Sequence, residues 1–282
     1  MKNIIPHREI IDRLKCPLCS SKMELSNGDR SLVCLGARRH CYDISSKGYV
    51  NLMPPGRAQG GDSRDAVKAR KDFLSLEYYS PAAEAIANIL EKHLNKGDVI
   101  VDAGCGEGYY TDGIARALAE AEISVSAFDI SRDAVKFAYK RNPSISFAVA
   151  SAYKMPVADG SFSGAINMFS PLAADEVRRS LCEGGIFIMA IPAENHLFGL
   201  KKATYRTPYK NEVADKTLAG FDLIEEVSVS YELNLDSSDK IRSLFMMTPY
   251  AYRTGKEDRE RVLALESLKT EVDFLVLVYK KR

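Results

Sequence analysis

The sequence predicts an α/β fold in which a mainly parallel, Rossmann-like sheet follows a small cysteine-rich N-terminal module. Two observations predict it. From about residue 80 onward, short apolar runs alternate with helix-like segments, which is the pattern of βαβ units. Four of the 6 cysteines lie between residues 16 and 41. A chain of 282 residues that is 46% hydrophobic can bury one large core and one small accessory module.

A glycine-rich turn lies between the first predicted strand of the sheet and a helix. The apolar run 99–101 leads into DAGCGEG at 102–108, and a helix-like segment follows at 109–119. A strand, glycine turn and helix in this order is how a nucleotide-type cofactor is cradled. A dinucleotide fingerprint needs a glycine at the sixth position counted from Gly104, where this chain has Tyr109. The register therefore argues against NAD.

Two acidic residues accompany the turn, since Asp102 ends the first strand and Asp129 closes the next. With Gly104, Gly106 and Gly108 they resemble the S-adenosylmethionine (SAM) methyltransferases. The resemblance implies that Asp129 accepts hydrogen bonds from the ribose hydroxyls and that the turn lets the backbone approach the methionine moiety. The alternative is that the glycines merely end a strand.

Positive charge is concentrated in the N-terminal quarter. The whole chain has a net charge of +1, but residues 1–80 hold 14 Lys plus Arg against 9 Asp plus Glu. This distribution favours phosphate contact in that quarter, with a solvated basic face as the alternative. No apolar run reaches about 18 residues, and the first residues lack a secretory apolar core. We therefore expect a cytoplasmic protein that does not use a membrane.

The cysteine cluster predicts a metal site. Cys16 and Cys19 form a CxxC pair, and Cys34, His40 and Cys41 supply further candidate ligands. Four such ligands from two short turns suit tetrahedral zinc, and clustered thiols in a cytoplasmic chain favour metal over disulfides. A module of about 40 residues has little core, so zinc is expected to supply much of its folding energy. A redox CxxC or unrelated thiols are the alternatives, and spacing alone leaves His40 and Cys41 both open.

Further segments follow in one order along the chain: Tyr42-Asp43, KGYVNL at 47–52, GDS at 61–63, residues 69–70 and 73–74, GCGEGYY at 104–110 and MTPY at 247–250. With the cysteines they resemble the 23S rRNA (guanine-N1)-methyltransferase family of the RlmA type, whose members join a zinc ribbon to a SAM-dependent domain. The resemblance extends from Cys16 to about Arg253. KGYVNL with the zinc ligands and GCGEGYY is far more specific than a SAM motif alone.

The resemblance implies roles for particular residues. The zinc ligands of the pattern fall on Cys16, Cys19, Cys34 and His40, although this chain has two extra residues between Cys34 and His40. Because Cys41 directly follows the histidine, a ligand swap to Cys41 stays open. The family's cofactor contacts fall on four positions here: Tyr79, Gly106, Glu107 and His196.

Apolar runs predict the remaining sheet. Parallel strands are expected at 99–102, 125–129, 146–150, 164–168 and 186–191, with a closing antiparallel pair at 223–233 and 272–279. Ligands of open α/β sheets bind at the carboxyl ends of the strands. Gly104, Asp129, Ser151, Phe169 and His196 would meet there. A histidine satisfied by packing is the alternative for His196.

We expect three regions: a zinc-ribbon RNA-recognition domain at 1–45, a linker and cofactor-covering segment at 46–80, and a SAM-dependent methyltransferase domain at 81–282. A helix is predicted at 65–76 within the middle region. Its loops resemble a linker that lets the zinc module move, and a mobile loop over the cofactor is equally compatible.

The reaction that the resemblance implies needs an acceptor for the N1 proton, because guanine N1 is a good nucleophile only as that proton leaves. N1 lies on the Watson–Crick edge, so the target must be unpaired or flipped. We expect Phe169 to stack on the base and Asn167 or nearby backbone carbonyls to accept the proton, although Phe169 could instead be core. Tyr250, Tyr252 and Asp159 are further candidates.

The implied partner is 23S rRNA or a ribosomal assembly intermediate, methylated in a hairpin loop near the peptide exit tunnel. The resemblance also implies a homodimer and a link to macrolide-type antibiotic resistance. Two other classes stay open. One is a small-molecule SAM methyltransferase, which leaves the zinc ribbon unexplained. The other is a non-catalytic RNA-binding protein, which has no need for an intact cofactor loop.

Overall fold

The computed structural model describes residues 8–56, 60–213 and 215–282. It contains a three-stranded sheet near the N-terminus and an eight-stranded mixed sheet. Residues 1–7 of the predicted ribbon domain and 57–59 of the predicted linker lie outside the described part. Among the described helices, none is long and apolar enough to cross a membrane.

The N-terminal module is a short helix followed by an antiparallel sheet. Its elements are α1 (Arg8–Ile11), β1 (Met23–Ser26), β2 (Ser31–Cys34) and β3 (Cys41–Asp43), with β2 in the centre. The turn between β1 and β2 contains Asn27 and Gly28 with φ of +55° and +62°. Asn-Gly favours this left-handed backbone, and the turn therefore brings β1 and β2 together as a hairpin.

The strands of the large sheet are β4 (Val50–Asn51), β5 (Val99–Ala103), β6 (Ser124–Asp129), β7 (Ser146–Val149), β8 (Phe162–Met168), β9 (Leu181–Pro192), β10 (Phe221–Leu235) and β11 (Leu268–Lys281). Their order in the sheet is β10-β11-β9-β8-β5-β6-β7-β4. The first six strands of this sheet, β4 to β9, pair in parallel, and β10 and β11 add antiparallel strands at one edge.

The helices connect and cover these strands. They are α2 (Arg64–Leu74), α3 (Ser80–His93), α4 (Tyr109–Ala117), α5 (Arg132–Arg141), α6 (Ala174–Ser180), α7 (Phe198–Thr204), α8 (Ser238–Met247), α9 (Tyr250–Arg253) and α10 (Lys256–Leu263). The predicted fold class is confirmed, including the five parallel strands and the antiparallel pair. The helix predicted at 65–76 is α2, which begins after Ser63, whose hydroxyl accepts a hydrogen bond from the Ala66 N–H at 3.3 Å.

The N-terminal module, called the zinc module below, is joined to the large sheet by backbone hydrogen bonds. Lys15 N–H donates to Pro156 O at 2.8 Å, and Ala158 N–H donates to Arg13 O at 2.8 Å. Apolar residues of the module, among them Ile10 and Leu32, belong to the same buried cluster as residues of the sheet. The module therefore does not rely on a core of its own.

The segment that follows the module also joins the sheet. Strand β4 pairs in parallel with β7, and Val50 bridges back to Ile44. Helix α2 then packs against α8 from the C-terminal part of the chain. The segment 46–80 thus makes contacts at the sheet edge and with α8. From the sequence, both a mobile linker and a cover over the cofactor were open for this segment.

Candidate functional site

A cavity of about 780 Å³ lies at the carboxyl ends of the parallel strands. Because the loops after β5, β6, β7, β8 and β9 all leave at this edge, residues distant in sequence meet there. Eight residues predicted for the site line the cavity: Tyr79, Asp102, Gly104, Gly106, Glu107, Asp129, Phe169 and His196.

The glycine loop is fixed by the end of the neighbouring strand β6. The N–H groups of Gly104 and Cys105 both donate to Phe128 O, at 2.8 and 3.0 Å. Gly106 has φ +56°, and a Cβ there would meet only Arg70 Nη1, at 3.9 Å. The backbone of Gly106 therefore stays open to a ligand in the cavity.

Gly108 has a different role. Its φ is +82°, and an added Cβ would lie 2.8 Å from Ala138 Cβ. Glycine at this position thus allows α4 to begin close to α5, and Gly108 does not line the cavity. The structure gives this predicted cofactor-binding residue a packing function.

The carboxylate of Asp129 accepts a hydrogen bond from the glycine loop and also lines the cavity. Its Oδ2 accepts the Gly106 N–H at 2.8 Å, and its Oδ1 accepts the Ser131 N–H at 2.7 Å. Burial raises the pKa of Asp129, while these two hydrogen bonds act in the opposite direction. Each carboxylate oxygen keeps a second lone pair, so hydroxyl donors of a ribose suit this position.

Three buried polar atoms on the cavity wall have no hydrogen-bond partner among the described residues: Asp102 Oδ1, Glu107 Oε1 and Tyr79 OH. The other oxygen of Asp102 accepts the Thr111 hydroxyl at 2.6 Å, and Glu107 Oε2 pairs with Arg141 at 2.7 Å. Unpaired buried polar atoms are costly. A ligand with its own donors and acceptors, such as SAM with its ammonium, hydroxyl and amino groups, fits this wall.

Burial also sets the protonation states around the cavity. It raises the pKa of Asp102 to about 7, against the lowering effect of the Thr111 hydrogen bond. Burial, with a smaller effect from Lys201, lowers the pKa of His196 to about 3. His196 is therefore neutral near pH 7. Because its Nδ1 accepts the Asp273 N–H at 3.3 Å, the neutral ring carries its proton on Nε2.

Phe169 forms an aromatic surface inside the cavity. It directly follows β8 with φ +57°, and 40% of it is exposed. Its ring lies 4.6 Å from Phe274 and 5.7 Å from Tyr110 between centroids. The left-handed backbone turns Phe169 out of the strand's burial pattern, so the core alternative does not describe it. An exposed ring that packs against Phe274 and Tyr110 is suited to stacking on a planar ligand.

Asn167, which the sequence offered as a proton acceptor, is buried and does not line the cavity. It is 2% exposed and is not part of the lining. Its Nδ2 donates to Ser170 Oγ at 2.8 Å, and Ser170 Oγ donates to Ala103 O at 2.9 Å. Asn167 therefore positions Ser170, which does line the cavity. Strand periodicity could not show this, because β8 ends at Met168 and Phe169 has a left-handed backbone.

The other candidates differ in placement. Tyr250 lines the cavity, whereas Tyr252 is 62% exposed and lies outside the lining. Asp159 pairs with Arg179 at 2.6 Å and lines a different cavity. Tyr250 is thus the member of this group with access to a substrate.

Several lining residues were not assigned to the site from the sequence. Asp62 and Arg70 form an ion pair of 2.5 Å over the cavity, and Asn211 and Phe274 line it from the C-terminal part. The resemblance contained the segments with Asp62 and Arg70, which was the available signal. Asn211 and Phe274 follow no motif. Phe274 reaches the site on β11, and Asn211 is held there by hydrogen bonds from its Nδ2 to Ala193 O and His196 O.

The metal site is formed by four residues whose ligand atoms all lie within 4.8 Å of one another: Cys16, Cys19, Cys34 and His40. His40 Nδ1 lies 3.4 Å from Cys16 Sγ and 3.5 Å from Cys34 Sγ. Cys41 is exposed and is not in the cluster. Three sulfurs and one imidazole nitrogen fit a structural zinc ion.

Neighbouring groups support thiolate ligands at this site. The Tyr42 hydroxyl lies 3.2 Å from Cys16 Sγ, and the His40 N–H donates to Cys34 Sγ at 3.1 Å. Hydrogen bonding with Ser21 lowers the pKa of Cys19 to about 6, whereas burial raises the pKa of Cys34. Hydrogen-bonded sulfurs of this kind are typical of the surroundings of a metal site.

Comparison with known proteins agrees with both sites. Residues 14–58 match the family model "RlmA, N-terminal", a zinc ribbon, and residues 100–185 match a methyltransferase domain. The 23S rRNA (guanine(748)-N(1))-methyltransferase of Streptomyces fradiae is 29% identical over 91% of this chain and 92% of that protein. A putative 23S rRNA (guanine-N(1)-)-methyltransferase of Bacillus subtilis, YxjB, is 28% identical over 95% of this chain and 96% of its own.

The fold, the cofactor cavity and the matched domain together define a SAM-dependent methyltransferase. SAM and zinc are its cofactors. The zinc ribbon narrows the similarity: residues 14–58 match the N-terminal model of RlmA, and the two relatives that align over most of the chain are named as 23S rRNA (guanine-N1)-methyltransferases.

Proposed function

We propose that this protein transfers the methyl group of SAM to N1 of a guanine in a hairpin loop of 23S rRNA. The observation that carries the proposal is the exposed ring of Phe169 in the cofactor cavity, one strand from the glycine loop. Relatives named for this reaction align over more than nine-tenths of the chain, which supports the same substrate here.

The cofactor would be held by the loop after β5 and by groups around it. Asp129 would accept the ribose hydroxyls, and the open backbone of Gly106 would face the methionine part. Asp102 Oδ1 and Tyr79 OH, which have no hydrogen-bond partner, would form hydrogen bonds with SAM. Neutral His196 would donate a hydrogen bond to it from Nε2. When bound, SAM supplies a methyl group already activated by the sulfonium.

The target guanine would stack on Phe169 after leaving its own stack. Base–aromatic stacking contributes about 1–3 kcal/mol per base. In the transfer, N1 loses its proton, the bond from N1 to the methyl carbon forms, and the carbon–sulfur bond breaks. The remaining task of the protein is to hold these atoms in line, which is where most acceleration of such a step arises.

The N1 proton needs an acceptor near Phe169. Because Asn167 does not line the cavity, we assign the hydrogen bond from N1–H to backbone carbonyls of the loop 168–171. The proton itself passes to solvent water as the bond from N1 to the methyl carbon forms. Asn167 acts through its bond to Ser170, which fixes the path of that loop. Asn167 is then a positioning residue.

The proposal includes the wider arrangement. Residues 1–45 would recognise RNA, 46–80 would cover the cofactor, and 81–282 would carry the reaction. The substrate would be 23S rRNA or an assembly intermediate in the cytoplasm, and the enzyme would act as a homodimer. A link to macrolide-type resistance would follow if the target is the nucleotide named for the Streptomyces fradiae relative.

Reverse transcription tests the proposal, because a methyl at guanine N1 blocks base pairing. Unmodified 23S rRNA is incubated with the protein and SAM, and new stops are mapped. We expect one SAM-dependent stop in a hairpin loop, and the Asp129→Asn variant should need a higher SAM concentration to produce it. A protein that binds SAM but gives no stop on free rRNA or on ribosomal intermediates would contradict the rRNA assignment and favour a small-molecule substrate.

A further inference from the structure

A second cavity, of about 570 Å³, lies between the zinc module and the methyltransferase sheet. The zinc module contributes Lys15, Pro17 and Ser20 to one wall. The loop 155–159 after β7 contributes the opposite wall. The cofactor and the target base as placed above leave this cavity without a function.

A single turn separates the second cavity from the cofactor cavity. Ser151 begins the turn, lines both cavities and forms a β-bridge with Lys154. Tyr153 belongs to the lining of the cofactor cavity and is 62% exposed, whereas Lys154 belongs to the second cavity. A ligand that leaves the cofactor cavity across this turn passes Tyr153 and reaches Lys154.

The available charge in the second cavity is positive. Lys15 and Lys154 have no ion-pair partner in the described part of the chain. The two acidic residues of the lining, Glu176 and Asp159, are both paired with Arg179, at 2.7 and 2.6 Å. The single charge of Arg179 offsets one of these two carboxylates, so with Lys15 and Lys154 the ionisable side chains of the lining carry a net charge of +1. Its two ammonium groups without an ion pair come one from the zinc module and one from the methyltransferase domain.

The backbone segments that carry these two lysines are joined to one another. Lys15 N–H donates to Pro156 O at 2.8 Å, and Leu14 forms an antiparallel bridge with Val157. Both lysines line the same cavity, and Tyr153 lies next to Lys154 in the turn. Cations beside an exposed aromatic ring are the combination that binds single-stranded nucleic acid, with phosphates on the cations and a base on the ring.

We propose that the second cavity binds the nucleotide next to the target guanine in the same RNA loop. Lys15 and Lys154 contact its phosphates, and Tyr153 stacks on the base at the crossing between the two cavities. The inference rests on the proposed function, since it needs a target base in the cofactor cavity. It assigns the zinc module a direct contact with the strand beside the reacting nucleotide.

The test compares two double variants of the full-length protein. Lys15→Ala with Lys154→Ala removes both proposed phosphate contacts. Lys96→Ala with Lys280→Ala removes two exposed lysines before β5 and near the end of β11, at the opposite edge of the sheet, and is the control. Binding to an unmodified 23S rRNA transcript is measured from 0.05 to 0.3 M salt, with SAM affinity and zinc content measured on the same samples.

We expect the Lys15/Lys154 variant to bind about four-fold more weakly for each lysine at 0.15 M salt. The slope of log affinity against log salt should fall by about 0.7 for each. SAM affinity and zinc content should equal those of the wild type, and the control should keep the wild-type slope. Tyr153→Ala should lower kcat/KM for rRNA about ten-fold, with Tyr153→Phe close to wild type.

Two results would overturn the inference. If the Lys15/Lys154 variant keeps wild-type affinity and slope while wild-type protein methylates the transcript, the neighbouring nucleotide lies elsewhere and the proposed function stands. If the control loses as much as the Lys15/Lys154 variant, the binding is general attraction to positive charge and not a site. A wild-type protein that neither binds nor methylates 23S rRNA would instead overturn the proposed function itself.

Discussion

The Gly106 N–H donates to Asp129 Oδ2 across 2.8 Å, which ties the glycine loop after β5 to the end of β6. The same carboxylate accepts the Ser131 N–H, so it is fixed from both sides. Asp129 therefore shapes the loop as well as presenting acceptors to the cofactor cavity. Any change to this side chain acts on both.

Asp129→Asn should weaken SAM binding about ten- to a hundred-fold, because hydrogen bonds to a charged acceptor contribute about 1.5–3 kcal/mol. The asparagine side chain has only one acceptor oxygen. Its NH₂ group would face the N–H of either Gly106 or Ser131, and two donors cannot form a hydrogen bond. Calorimetric titration with SAM measures the effect. Asp133→Asn, four residues later at a half-buried position paired with Lys136, is the control and should bind like wild type. Equal affinity in both variants would remove Asp129 from the cofactor site.

SAM affinity should depend on pH through Asp102. Burial raises the pKa of this carboxyl to about 7 from its ordinary 3.8, and the SAM ammonium group prefers the ionised form. Well below pH 7 the affinity should therefore fall about ten-fold per pH unit. Titrations between pH 5.5 and 8 check this, and Asp102→Asn should flatten the profile. A flat profile in the wild type would show that Asp102 does not hold a cation.

The same group affects the stability of the protein without cofactor. Between pH 3.8 and about 7 the folded carboxyl stays protonated while the unfolded one ionises. The folded state then binds more protons, so the free energy of unfolding should fall as pH rises through this window. Chemical denaturation at several pH values should show a smaller decrease in the Asp102→Asn variant.

Zinc content should distinguish His40 from Cys41. Cys41→Ser should retain one zinc per chain, because Cys41 lies outside the ligand cluster, whereas His40→Ala and Cys34→Ser should lose it. Elemental analysis of the purified variants measures this. Since the module shares its core with the sheet, the zinc-free variants should still bind SAM but fail to methylate rRNA. Zinc loss in Cys41→Ser would contradict the assignment.

Phe169→Ala should lower kcat/KM for rRNA about ten-fold through loss of stacking, and SAM affinity should stay within about two-fold. Phe169→Tyr keeps the ring and should retain most activity. Steady-state methyl transfer with varied rRNA and saturating SAM measures the first effect. A parallel loss of SAM affinity in Phe169→Ala would show that this ring supports the cofactor and not the base.

The sheet was predictable because its strands are short apolar runs set apart by helices and turns. The five parallel strands and the antiparallel pair follow directly from that pattern. Strand β4 was not predictable, since two residues carry no period and pair with β7 only after the fold has formed. The hydrogen bond from Lys15 N–H to Pro156 O is likewise a tertiary contact, which no local sequence pattern predicts.

The site divides in the same way. The positions of Asp129 and the glycine loop could be predicted from their register in the sequence. The direction of a side chain just after the end of a strand could not. Asn167 and Phe169 are two residues apart, so strand alternation would place them on one side. The left-handed backbone of Phe169 separates them, leaving Asn167 behind the cavity and Phe169 inside it. Asn211 and Phe274 come from segments far along the chain, which only the assembled sheet brings together.

The most direct test is the chemical identity of the product. Unmodified 23S rRNA is incubated with the protein and SAM, digested to nucleosides and analysed by mass spectrometry, with reactions that lack SAM or the protein as controls. The account predicts 1-methylguanosine at close to one per rRNA molecule, formed only when both SAM and the protein are present. A methyl group on another base or another guanine atom, or none on rRNA while SAM remains bound, would contradict it.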